Sequence, residues 1–74
     1  YSLVEEKIPV NSKAIGVAIK DLDLPGNCVI AAIIRKGDVI VPRGVTTFEF
    51  EDEVLAITDP EGAKKLASIL GLMD

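Results

Sequence analysis

A chain of 74 residues is a single domain near the lower limit of unaided folding, where about 60% of the unfolded surface is buried. The net charge is −4 and the basic residues are scattered from Lys7 to Lys65, which argues against nucleic acid, since that partner needs a concentrated positive face. Histidine is absent and only one cysteine is present. This excludes a His triad, a His metal site and a disulfide framework, and it fits a reducing compartment. Hydrophobic content of 49% with only three aromatics, Tyr1, Phe48 and Phe50, requires an aliphatic core. Such a surplus for so small a chain either packs inside or is partly hidden in an oligomer interface.

In chain order, 3–8 reads as a strand with Val4, Ile8 and Val10 on one parity. Pro9 cannot donate to a ladder, which places this strand at an edge or ends it near Ile8. Asn11 and Ser12 offer capping oxygens ahead of 13–22, where Ile15, Ala18, Ile19 and Leu22 recur at helical spacing and predict a helix packed on the sheet. Gly16 inside it costs about 1 kcal/mol relative to Ala and suits a close approach to a strand or a second copy. Pro25 and Gly26 fit the middle of a type II turn.

The run 28–35, Cys28 to Arg35, is apolar until its last residue and is expected to be a central strand buried on both faces. Lys36-Gly37-Asp38 reverses the chain into a strand at 38–42, ending at Pro42. After a loop at 43–47, the alternation Phe48-Glu49-Phe50 puts both rings on one side in a possible short pairing at 48–50. Residues 51–53 make an acidic turn, and 53–58 reads as a mostly buried strand. The final helix is the most fully signposted, with Asp59 as N-cap, Pro60 at the first helical position and Glu61 in the first turn. Ala63, Leu66, Ala67 and Leu70 form its inward stripe, and Gly71 closes it as the C′ residue. The expected fold is a small α+β domain, β-α-β-β-β-α, with two helices on a mostly antiparallel sheet.

No arrangement of Ser, Thr or Cys makes a nucleophile elbow, and the six glycines match neither GxGxxG nor a Walker loop. Cys28, within an apolar strand, reads as a small buried hydrophobe with a raised thiol pKa. Glu49, Glu51, Asp52 and Glu53 could gather around Ca²⁺ or Mg²⁺, or form a solvated turn that keeps an edge from pairing. No basic segment precedes an apolar one near Tyr1, and no stretch reaches the ~20 apolar residues of a spanning helix. The chain begins without Met, so it is expected to be a domain cut from something longer. The residues point to binding or association, with no catalytic residue and no assigned metal ligand.

The chain resembles, from about Val4 to Leu70, the C-terminal domain of the regulator-of-potassium-conductance family, found at the C-terminus of Trk- and Ktr-type potassium-uptake subunits. The resemblance is carried by Ser12, Gly16 and Asp21-Leu22, by Leu24-Pro25 and Asn27, by 29–37 and 39–42, and by Asp52 with 54–57. Each motif is degenerate, but their order and spacing are specific. The family usually turns into its last strand through Gly-Asp; here Glu51 precedes Asp52, so a less permissive residue must make that turn. The resemblance implies a cytoplasmic regulatory module that forms a homodimer, sits peripheral to the inner face of the membrane through its parent or partner, and biases a membrane-embedded potassium channel or transporter subunit. It carries no cofactor of its own. In some relatives a small effector, cyclic di-AMP, lies at the dimer interface. The matching positions are Asn27, Cys28, Val29 and Pro42, with Ile15 on the facing helix: Asn27 to hydrogen-bond a base, the others to pack on it. The alternative for these residues is turn capping and packing in a purely structural dimerisation module, attached to this or another ion or anion carrier.

Overall fold

The structure is a computed structural model that describes residues 1–71. The chain runs β1 (Ser2–Lys7), one turn of 3-10 helix (Ile19–Asp21), β2 (Cys28–Arg35), β3 (Asp38–Ile40), β4 (Glu53–Thr58) and α1 (Pro60–Ile69). The strands form one sheet in the order β1-β4-β2-β3, with every neighbouring pair antiparallel. The α+β class and the four main strands are therefore as the sequence predicts. β1 ends two residues before Pro9 and lies at an edge, where a missing donor does no harm.

Register defines two unlike faces. Cys28, Ile30 and Ile33 of β2 lie level with Thr58, Ala56 and Val54 of β4, and α1 packs on this side. Ile8, Ala14, Phe48, Leu66 and Leu70 complete the core beside Ile33, Val54 and Ala56. On the other face Leu3, Ile57 and Val29 form a row across three strands and are 62%, 45% and 59% exposed. The expectation that β2 is buried on both faces thus fails. A bulge at Ala31 shifts the register between Ile30 and Ala32, and only one side of the sheet is covered by a helix.

The helix expected over 13–22 does not form. Gly16 sits at φ +81°, outside helical space, and three amides of this segment bond to distant carbonyls instead of to their own i−4 partners. Gly16 N donates to Phe48 O (3.2 Å), Ile19 N to Thr46 O (2.9 Å) and Lys20 N to Gly44 O (2.9 Å). β-branched Ile15, Val17 and Ile19 with an interior glycine give little helical preference to oppose that exchange. Ser12 has a different role from the expected cap of a following helix. Its hydroxyl donates to Leu70 O (2.8 Å) and accepts from Ala14 N, and Lys13 N donates to Gly71 O, which satisfies carbonyls left open at the end of α1.

Local chemistry explains the remaining turns. Lys36 and Gly37 both have positive φ (53° and 84°), the signature of a two-residue hairpin with a type I′ turn. Gly26 does not adopt positive φ; Cys28 N bonds to Pro25 O, so Gly26 and Asn27 form the middle of that turn and the expected type II turn is absent. Phe48 is buried while Phe50 is 51% exposed, because the chain turns at Phe50-Glu51; the rings do not share a side. Thr47 and Phe48 form isolated bridges to Ala18 and Ile15, and no strand forms at 48–50. Val10 is exposed. In α1, Asp59 accepts from Gly62 N (2.8 Å) as the N-cap. Its inward stripe uses Gly62, Leu66 and Leu70, while Ala67 faces out. Gly71 follows the C-cap Leu70 without the left-handed conformation of a C′ glycine.

The expected acidic turn is an ion-paired clasp. Asp52 is 1% exposed and accepts from Arg35 Nε (2.9 Å), Arg35 Nη2 (2.8 Å) and Glu49 N (2.8 Å). Arg35 also donates to Thr47 O (3.0 Å) and pairs with Glu49 (2.9 Å). Burial alone would raise the Asp52 pKa, but the Arg35 hydrogen bonds and the Glu49 amide outweigh it and hold the carboxyl below its ordinary value. Among the described residues no group of acidic side chains is arranged to hold a metal ion.

Two outcomes follow from these turns. Glu51 occupies φ +72°, a conformation disfavoured by about 1–2 kcal/mol for an L-residue. Glu51→Gly removes that strain against a smaller entropic loss, so urea titration should show a gain of about 0.5–1 kcal/mol. The depressed pKa makes the contribution of Asp52 complete above the unfolded value of about 3.9 and lost as pH falls through the lower folded value. Asp52→Asn is therefore expected to cost about 2 kcal/mol at pH 7, and its melting temperature should converge on the wild type as both are taken toward pH 2.

Candidate functional site

β3 pairs with β2 only from Ile33 onward, so the edge of β2 over 28–32 has no strand beside it on that side. There the chain after β3 and the 3-10 turn border a shallow cavity of about 300 Å³. Three of the residues expected at a ligand site, Cys28, Val29 and Pro42, line it together. Ile19, Leu24 and Ile30 supply the rest of its apolar wall, with Arg43 and Gly44 at the end. The elements that form it are held firmly. Arg43 N donates to Thr46 Oγ1 (2.9 Å) and Thr46 N to Arg43 O (3.1 Å), closing a tight turn. That turn is fastened to the 3-10 helix through Lys20 N to Gly44 O and Ile19 N to Thr46 O.

Ile15 and Asn27 are placed elsewhere. Ile15 is bridged to Phe48 and does not line the cavity. Asn27 is adjacent to it in sequence, but its Nδ2 donates to Asp59 Oδ1 (2.7 Å), the same oxygen that caps Gly62 N. Its amide donor thus anchors α1, and together with the Gly62 amide it holds the Asp59 carboxyl below its ordinary pKa. Ile19, Leu24, Ile30, Arg43 and Gly44 line the cavity without being expected at a ligand site from the sequence. For Arg43 a signal existed, its position directly after Pro42; Ile19, Leu24 and Gly44 depend on the loop-to-loop hydrogen bonds above.

A second cavity of about 300 Å³ lies by the Lys36-Gly37 hairpin and includes Arg35, Glu49 and Asp52 in its lining. Arg35, Glu49 and Asp52 neutralise one another there through the clasp, and Lys7, Lys36, Glu51 and Glu53 add further charge of both signs to its lining. The first cavity instead offers bare apolar surface with one cation. Its chemistry is that of binding: the Cys28 thiol is pushed up in pKa by burial, with a nearby Thr58 hydroxyl only partly offsetting it, which makes it a poor nucleophile at neutral pH. Iodoacetamide at pH 8 should therefore label the folded chain many times more slowly than the urea-unfolded chain; equal rates would contradict the burial of Cys28.

The chain and its fold have counterparts among known proteins. The chain is 38% identical over 66 residues to a Trk system potassium uptake protein TrkA homolog of Archaeoglobus fulgidus. It is 29% identical over 69 residues to TrkA homolog 1 of Methanosarcina mazei. The aligned regions cover 89% and 93% of this chain, but it spans only 15 to 17% of the length of these curated relatives. Among solved structures, an RCK domain with cda superposes with a TM-score of 0.83 at 25% identity, covering 96% of this chain and all of that one. The RCK_C domain dimer of S. agalactiae BusR in complex with c-di-AMP gives 0.81 at 21% identity, over 93% of this chain and 89% of that one, a likeness of fold. The family profile of the TrkA-C domain matches residues 3–71, and the chain belongs to that family.

Proposed function

We propose that this domain is a regulatory ligand-binding and dimerisation module of a potassium-uptake protein, acting on the cytoplasmic side to bias a membrane-embedded channel or transporter subunit. In this reading the 74 residues act as a single domain of a longer protein and catalyse nothing. The observation that carries it is the apolar cavity in which Cys28, Val29 and Pro42 meet beside the edge of β2 that β3 does not reach. A shallow cavity buries a ligand fully only when a second surface closes over it, and the exposed row Leu3, Ile57 and Val29 supplies apolar area for a second copy to cover. Val29 belongs to both features, so one two-fold contact joins ligand and dimer.

A ligand held across such an interface binds one relative orientation of the protomers better than another, and this differential affinity shifts the equilibrium of whatever is attached. A coupling of ~1–3 kcal/mol is typical. Cyclic di-AMP is the first effector to try, because two similar solved domains are described with cda and with c-di-AMP. No nucleic-acid partner is proposed for this domain, whose basic residues form no cluster in the sequence. BusR is also described with its promoter DNA, and this chain covers 35% of that one. Among the described residues no helix is long and apolar enough to cross a membrane, so the proposed link to the membrane runs through the parent or partner protein.

Isothermal calorimetry with cyclic di-AMP tests the reading. Saturation at one ligand per two chains is expected, with Val29→Asp removing both binding and dimerisation. A chain that stays dimeric but is silent toward cyclic di-AMP, ATP, NAD and Ca²⁺ would instead support a purely structural dimerisation module.

A further inference from the structure

The cavity beside β2 is apolar on all sides but one. Arg43 is the single charged residue in its lining, and no carboxylate faces it there. The contrast with Arg35 is informative, because the two arginines have opposite fates. The Arg35 guanidinium is fully engaged by Asp52, Glu49 and Thr47, whereas Arg43 has no ion-pair partner among the described residues. Its backbone is nevertheless fixed, by the reciprocal bonds with Thr46 and by the attachment of Gly44 to Lys20. A cation whose backbone is fixed beside apolar walls, and whose guanidinium donors have no partner among the described residues, is available to an anionic group. A guanidinium binds phosphate or carboxylate oxygens through paired charge-assisted hydrogen bonds.

We infer that Arg43 reads charge at this site and selects a small anion with a flat or aliphatic apolar body, the body lying against Val29, Ile30 and Leu24. The inference rests on the cavity being the ligand site. It adds a selecting residue, on the loop after Pro42, that lies outside the set expected from the sequence.

The test measures cyclic di-AMP and adenosine binding to the 74-residue chain and to Arg43→Gln and Arg43→Lys across a sodium chloride series. Adenosine presents the same base without phosphate. Arg43→Gln is expected to weaken cyclic di-AMP by about 10- to 100-fold and to flatten its salt dependence, while adenosine affinity changes less than about twofold. Arg43→Lys, which keeps charge without the planar fork, should fall between. Thermal melts should match the wild type, since the bonds to Thr46 use only the backbone of Arg43. Wild-type affinity and salt dependence in Arg43→Gln would overturn the inference and leave the site intact. Failure of the wild-type chain to bind either probe would remove the site reading and this inference with it.

Discussion

The fold depends most on the placement of one buried carboxylate. Asp52 sits inside the protein only because Arg35, at the far end of β2, meets it with two donors while the Glu49 amide supplies a third. An unpaired carboxylate there would face a desolvation cost of several kcal/mol. The clasp fixes where the loop 47–52 lies, and much follows from that. Phe48 is driven into the core, and the carbonyls of Thr46 and Phe48 are presented to Ile19 N and Gly16 N. The segment 13–22 is then held as an extended and turned chain beside that loop. The absence of a first helix and the presence of the clasp are two sides of one arrangement.

This explains which parts of the molecule were legible in the sequence. β2 and β4 were readable from their long β-branched runs, and α1 from Asp59, Pro60 and Glu61, because those signals are local and point the same way. The left-handed position at Glu51 was legible through its contrast with the expected glycine. The segment 13–22 misleads because Ile15, Ala18, Ile19 and Leu22 do carry helical spacing, yet three of its amides are claimed by carbonyls 24 to 32 residues away in the chain. No periodicity reports such partners. The Arg35–Asp52 pair was hidden for the same reason, since 17 residues separate the two. Of the candidate site, Cys28, Val29 and Pro42 line one cavity. Asn27 is set apart from them because an amide ahead of a strand suits a ligand and a helix cap equally, and here its Nδ2 donates to Asp59.

The two ends of the molecule have divided tasks. At the hairpin end, charges are paired and the backbone strain at Glu51 is confined; at the start of β2, apolar surface and an unpaired cation face outward. Val29 joins the cavity to the exposed sheet face, and in the proposed reading it is where ligand binding and association meet. Small size favours such a design, because a 74-residue chain has little interior from which to form an enclosed pocket and gains most by sharing one.

Amide chemical-shift mapping of the chain during titration with cyclic di-AMP tests the central claim most directly. Perturbations are expected at Leu24, Cys28, Val29, Ile30, Arg43 and Gly44, with Arg35, Glu49 and Asp52 unmoved. Shifts confined to the cavity beside the Lys36-Gly37 hairpin, or no shifts at all, would contradict it.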